Sequence, residues 1–449
     1  MTVINRLGRY RHIAPLVVFR IAFGAVLFIS TIRFILKGWI YDFYIAPKFH
    51  FPFFGFEWLH PMNATGMYAL YGIMATAALC ICLGLFYRTA TLTFFLCFCY
   101  AELLDKTYYL NHYYVVSILS LLLVFVPANR YFSLDVLRKP SLRVTQVPSW
   151  TILVFKYQLC IIYFCAGLSK LTVDWLIHAM PLKIWLLAKS DLPILGPILK
   201  QEWAAYFFSW GGALFDLCIP FLLLNRRTRV IGYFLVIIFH ALTLVLFQIG
   251  VFPYIMLSAT LIFFTENFHR KIINFMRRTG KRPYGMPLAE RAFVIRPAVQ
   301  KRILFFLCIY FLVQLVMPFR FLLYPGKLLW TEEGYRFSWR VMLMEKSGAS
   351  FFYVRNPQTG RKFEVDNAAF LTPYQERMME TQPDMMLQYA HILKREYQKQ
   401  GIVNPVVTVE SYVSLNGQGS QLYIDSTINL AEEKETWFGH KTWILPINK

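Results

Sequence analysis

Asp105, Lys106, Asn111 and His112 fall in one short stretch, DKTYYLNH, between two apolar runs. A second stretch, CAGLSKLTVDW, places Lys170, Asp174 and Trp175 at the end of a long apolar run. An amide, an imidazole and an amine at one level of a membrane can do proton chemistry. An amine held where water is scarce loses affinity for its proton and becomes a usable base near neutral pH. The alternative for Lys170 is structural, because a lysine at a helix end lifts its ammonium into the headgroups while a tryptophan marks the interface. The residues alone leave both readings open.

The elements that would position these groups are apolar spans. The 449 residues are 57% hydrophobic and 16% charged, where a soluble globular protein has about 25% charged residues. The chain therefore reads as a polytopic membrane protein in contact with a lipid bilayer. Nine spans can be drawn, near 15–37, 66–86, 90–104, 113–128, 151–170, 203–224, 230–247, 251–265 and 303–322. The third and eighth are short enough to be tilted or re-entrant. The net charge of +21 gathers in alternate linkers, above all in residues 270–302, with ten Lys/Arg against one acidic residue. That alternation is the positive-inside pattern. It predicts a cytoplasmic N-terminus, with MTVINRLGRYRHIAP as an uncleaved tail, and an extracytoplasmic C-terminal region. No basic patch alternates with aromatics in a nucleic-acid-binding module, so nucleic acid is not an expected partner.

The fold expected is mainly α. Residues 1–322 form a membrane helical bundle of about nine spans, and residues 323–449 form a small extramembrane α+β domain. In that domain SFFYVRNPQTGRKFEV reads as two strands around a turn. Thr372, Pro373 and Gln375 read as a capping box opening a helix. Pro383 is expected to break the pattern, with Thr381 and Asp384 restarting it. Asn416-Gly417 reads as the start of a hairpin turn.

Ionisable groups inside spans tend to be functional or paired. Arg20, Arg33 and Lys156 are expected to pair with carboxylates of the bundle, and Asp216 is a natural partner for one of them. His240 lies mid-span, where a satisfied core histidine is the ordinary reading. The eight cysteines all fall in apolar spans and read as small packing residues, which rules out a disulfide framework in the exported domain. No HExxH, GxSxG, Walker loop or dinucleotide fingerprint occurs, and no metal is expected.

The stretches RTATLTFFLCFCYAELLDKTYYLNHYY, IIYFCAGLSKLTVDW, HALTLVLFQIGVFPY and EEGYRFSWRVML resemble the vitamin K-dependent γ-glutamyl carboxylase family. The likeness runs from FRIAFG to the hairpin after VTVESYVSLNG. It suggests a bacterial-type homologue with the horizontally transferred transmembrane domain. The resemblance implies an enzyme that oxygenates reduced vitamin K (phylloquinol or menaquinol) to its 2,3-epoxide. The strong base so generated removes a proton from the γ-carbon of a peptidyl glutamate, and CO2 traps the carbanion. O2 and CO2 are co-substrates; a membrane quinone and a glutamyl-containing protein or peptide are partners. By position, Lys170 matches the catalytic lysine, and His112 and Asn111 match a histidine and asparagine near the quinone. His240 matches a further histidine of that core. Tyr335 and Trp339 fall in the stretch associated with the glutamate substrate.

Two departures stand out. Animal members join an outer loop to the C-terminal domain by a disulfide, for which neither segment here has a cysteine. Met344 and Lys346 stand where those members carry histidine and arginine. Core chemistry is thus expected to be retained and substrate recognition altered, as in a bacterial relative facing the periplasm. Two other classes stay in view: a hydroquinone epoxidase acting on another acceptor, and a non-catalytic transport or export component on the same scaffold.

Overall fold

The computed structural model describes residues 7–247, 249–279 and 291–447. The first six residues of the N-terminal tail and the middle of the basic 270–302 linker lie outside the described residues.

Helices stand at all nine expected positions. They are α1 (Ala14–Leu36), α2 (Ala64–Leu83), α3 (Tyr87–Leu104), α4 (Asn111–Phe125), α5 (Trp150–Ser169), α6 (Glu202–Leu224), α7 (Arg229–Leu246), α8 (Phe252–Thr260) and, after α9 (Glu266–Thr279), α10 (Pro297–Val316). Six are long and apolar enough to cross a membrane: α1, α2, α5, α6, α7 and α10 with its 3-10 extension to Leu323. The apolar α4 and α8 are shorter, and α3 carries Arg88 and Glu102.

Local chemistry explains several boundaries. Asn63 caps α2 by accepting from the Gly66 N–H at 2.8 Å. Its other end stops at Gly84, whose left-handed backbone satisfies the last carbonyls. Helix α1 packs on α2 and α5 on α6. The second pair approaches closely because of Gly167. A Cβ there would lie 2.8 Å from the Leu217 backbone nitrogen, so a larger residue would push the helices apart.

The C-terminal region is α+β. Its four-stranded antiparallel sheet contains β1 (Lys346–Arg355), β2 (Lys362–Glu364), β3 (Val406–Leu415) and β4 (Gln421–Leu422) in the order β2-β1-β3-β4. Phe352 pairs with Val409 and Val354 with Val407, and all four are fully buried. Strict alternation puts one apolar face of β1 and β3 against a helix. That helix is α12 (Pro383–Lys399), preceded by α11 (Pro373–Met379). Thr372 and Gln375 form the expected capping box of α11. The break expected at Pro383 is present: α11 ends at Met379 and α12 restarts at Pro383, whose missing N–H costs nothing in a first turn; the residue before it, Gln382, takes the N-cap position in place of Thr381. Asn416 and Gly417 both have positive φ, as the tight turn after β3 requires.

Two buried cores result. One fills the helical bundle. The other joins the sheet and α12 to Trp175, Leu182 and Leu186 of the linker between α5 and α6, to Ala213 of α6 and to Leu246 at the end of α7. The C-terminal region is therefore packed onto the bundle. The outer loop is held without a disulfide: Gln375 Nε2 donates to the Phe49 carbonyl at 2.8 Å, and Gln388 Nε2 to the Pro52 carbonyl at 3.1 Å.

Candidate functional site

The turn between α3 and α4 is the pivot of the site. Asp105 leaves α3 and accepts from the Thr107 N–H at 2.9 Å, which tightens the turn and starts α4 at Asn111. Its second carboxylate oxygen accepts from Gln375 Nε2 of α11 at 3.2 Å. Lys106 Nζ reaches Asp384 of α12 at 2.9 Å. Neighbouring residues of one turn are thus both anchored to the C-terminal region.

Over this turn lies the loop 332–344. Glu332, Phe337, Trp339 and Met342 adopt positive φ without being glycine, a conformation that only surrounding contacts can hold. Those contacts are specific. Asn111 Nδ2 donates to the Arg340 carbonyl at 2.7 Å, and its Oδ1 accepts from the Tyr109 hydroxyl at 3.2 Å. The Phe337 N–H donates to Tyr109 Oη at 2.9 Å. Trp339 is buried and stacks on Tyr114 at 4.6 Å.

Turn and loop enclose a cavity of about 740 Å³ between the outer ends of the helices and the C-terminal region. Asn111, His112, Tyr335, Arg340 and Met344 line it, with Phe34, Trp39, Phe43, Phe247 and Phe252 as apolar walls. His112 is buried, at 8% exposure, and touches the Tyr113 and Phe252 rings. Among the described residues its imidazole has no hydrogen-bond partner, so it does not cap the turn by bonding a backbone carbonyl. The cavity also carries Arg33, Lys106, Arg336 and Arg340 against Glu332, an excess of positive charge suited to a carboxylate.

Asp384 organises those cations. Its Oδ2 lies 2.5 Å from Arg336 Nη1, and a second Arg336 nitrogen donates to Gln382. Burial works against the charged form of Asp384. Arg336 and Lys106 outweigh it and hold the carboxyl well below the usual carboxylate range. Lys346 Nζ pairs with Glu332 at 2.8 Å and also reaches the Tyr423 hydroxyl and the Trp330 carbonyl, each at 2.9 Å. Burial lowers its affinity for a proton against the opposing pull of Glu332.

The remaining sequence-derived candidates are not part of this lining. Lys170 caps the end of α5, and its Nζ lies 2.7 Å from Asp216 Oδ2 of α6 and 3.3 Å from the Ala166 carbonyl. It is 5.5 Å from the Trp175 ring and does not line the cavity. His240 is fully buried in α7. Its Nε2 lies 3.2 Å from the Tyr163 hydroxyl, and its Nδ1 has no partner. Phe252 touches both histidines, with ring centroids 5.9 Å from His112 and 5.6 Å from His240. The structure therefore brings Asn111, His112 and Tyr335 to one cavity. Lys170, His240 and Trp339 do not line it.

Residues 9–268 match the HTTM domain, and residues 299–449 match the lumenal domain of vitamin K-dependent gamma-carboxylase. The chain belongs to the vitamin K-dependent gamma-carboxylase family. No solved structure matches the chain. This family member is an integral membrane protein with a lumenal-type C-terminal domain. The cavity lies where helices of the HTTM domain meet that lumenal domain.

Two expectations about charges are corrected. Asp216 pairs with Lys170, not with Arg20, Arg33 or Lys156. Among the described residues those three make no carboxylate pair. Arg20 donates to the Phe132 carbonyl at 2.7 Å, Lys156 to the Phe263 carbonyl at 3.4 Å, and Arg33 lies over the Trp39 ring at 4.9 Å. Arg20 and Lys156 thus meet backbone carbonyls outside their own helices, and Arg33, in the last turn of α1, meets a ring face. Sequence reading missed the Asp384–Lys106–Arg336 cluster, whose members are far apart in the chain.

Proposed function

We propose that this protein couples oxygenation of a reduced naphthoquinone, of the vitamin K class, to carboxylation of glutamyl residues in an extracytoplasmic protein or peptide. The observation that carries the reading is the cavity itself: it has aromatic walls, surplus cations and a buried, unpartnered imidazole, His112. A flat apolar ring with polar oxygens at its ends fits such a lining. When bound, reduced vitamin K and O2 supply the oxidative energy to remove a carbon-bound proton beside a carboxylate, which no side chain can remove unaided.

The chain's own groups then have definite tasks. His112 donates a hydrogen bond to a quinone oxygen where charge develops. Asn111 holds the Arg340 backbone and so fixes the loop that roofs the site. Tyr335 and Arg340 orient the glutamyl carboxylate, and Trp339 stiffens their loop against Tyr114. Lys170 is the amine base. An amine accepts a proton only in its uncharged form, and Asp216 Oδ2, at 2.7 Å, is the atom that can hold the proton Nζ gives up. The buried Trp175 ring, 5.5 Å from Lys170 Nζ, keeps water from this interior. The N-terminus lies on the cytoplasmic side and the C-terminal domain outside.

The test is incubation of purified protein with reduced vitamin K, O2, labelled bicarbonate and glutamyl peptides. Epoxide together with peptide-bound label is expected. Epoxide without label would favour an oxygenase with another acceptor, and no quinone binding at all would favour a transport component.

A further inference from the structure

Arg20 sits in the first turns of α1, at the end of that helix away from the outer cavity, and it is fully buried. Its Nη2 donates to the Phe132 carbonyl, while its Nε and Nη1 have no partner. The nearby carboxylate is Asp135, which is already committed. Asp135 accepts from the backbone N–H groups of Phe86 at 2.8 Å and Tyr87 at 3.0 Å, and from Asn129 Nδ2 at 2.8 Å. Arg138 Nη1 lies 3.4 Å from it as well. Gly84, at φ +66°, leaves the space the guanidinium occupies. A Cβ at that position would lie 1.6 Å from Arg20 Nη1.

Beside this guanidinium is a cavity of about 290 Å³. Ile21, Leu83, Leu134 and Leu137 form its apolar walls, and Arg277 is a second basic residue of its lining. Arg277 Nη2 also donates to the Tyr131 hydroxyl at 2.8 Å. A buried cation with one neutral acceptor is an expensive arrangement unless an anion completes it. The planar fork of arginine matches the paired oxygens of a phosphate group. Basic pockets between helices at the inner membrane surface suit anionic headgroups, and leucines around the rim suit acyl chains.

We propose that Arg20 is the centre of a binding site for a phosphate-bearing anion, with the headgroup of an acidic phospholipid as the source its apolar walls favour. The site lies across the bundle from the outer cavity and is independent of the carboxylase reading. The lipid completes the hydrogen bonding of Arg20 and locks α1 to the turn at Gly84 and the loop at Phe132.

The test uses the full-length protein, delipidated in detergent, and its Arg20→Gln and Leu137→Trp variants. Leu137→Trp blocks the cavity from its exposed side and leaves the arginine in place. Thermal unfolding is followed with added phosphatidylglycerol, phosphatidylcholine or inorganic phosphate, and retained lipid is counted by native mass spectrometry. Because the chain carries +21 net charge, acidic lipid helps every variant somewhat, so the difference between variants is the readout. Phosphatidylglycerol should raise the wild-type midpoint by roughly 2–4 °C more than that of either variant, with lipid retention about tenfold higher. Phosphatidylcholine and inorganic phosphate should give no such difference. Inorganic phosphate matching the lipid in wild type alone would support the anion site and overturn the lipid as its source. Equal gains in all three proteins would overturn the site. If Arg20→Gln fails to fold, Leu137→Trp decides alone.

Discussion

Lys170 Nζ and Asp216 Oδ2 lie 2.7 Å apart, both buried, where the close approach of α5 and α6 at Gly167 brings them together. The relationship makes Asp216 part of any base function that Lys170 has. Asp216→Asn keeps the shape and a hydrogen-bond acceptor but removes the charge. It should lower the rate of epoxide formation by at least about tenfold and shift the pH profile of turnover, while leaving quinone affinity unchanged. A variant that loses folding yet keeps an unaltered pH profile per folded molecule would make the pair structural only.

His112 lines the cavity, and among the described residues its ring has aromatic contacts but no hydrogen-bond partner. His112→Ala should weaken quinone binding and slow epoxidation by about 10²–10³, the usual cost of losing one positioned donor. Quinone affinity and single-turnover rates measure this. Unchanged values with a lowered melting temperature would assign His112 to packing against Phe252.

Asp384 binds Lys106 and Arg336, and its carboxyl is held well below the ordinary range. The sign follows directly. The unfolded chain takes up the proton first, near the ordinary value of about 3.9, so the stabilisation is fully present above that pH. It is lost as pH falls from there toward the depressed native value. Asp384→Asn should cost about 3–5 kcal/mol at neutral pH, because it strands two cations. It should also flatten the acid limb of a stability profile. A profile unchanged below pH 4 would contradict this.

Phe352 is fully buried, pairs with Val409 and meets Tyr389 edge-on at 4.8 Å. Phe352→Ala should destabilise the C-terminal region by about 3–5 kcal/mol through the cavity it leaves. Because that region roofs the outer cavity, quinone affinity should fall with it. Limited proteolysis and quinone titration test the two effects.

The architecture was legible wherever a period or a short-range signal carried it. Apolar length located the helices. The capping box at Thr372 and the turn at Asn416 were readable because each is complete within a few residues. The break at Pro383 was readable for the same reason, since proline cannot continue a helix but can open one; the exact cap, Gln382 instead of Thr381, was not. The partners of Asp216, Lys106 and Arg336 were not legible, since nothing local in a sequence says which distant charge a buried one meets. The same holds for Lys170, whose pairing with Asp216 outside the cavity lining depends on how α5 and α6 pack. Asn111 and His112 were singled out from one turn, but their different roles emerged only from hydrogen bonds: one amide bonded to the loop at Arg340 and to Tyr109, one imidazole without a hydrogen-bond partner among the described residues.

The central claim is that this site oxygenates a reduced naphthoquinone with Lys170 as base. The most direct test compares epoxide and peptide-bound carboxylate formed by wild type and by Lys170→Ala, alongside quinone affinity. Because Lys170 lies outside the cavity lining, the variant should bind quinone as wild type does yet form neither product, and an added small amine should restore part of the epoxide. Wild-type rates of both products in Lys170→Ala would contradict the account.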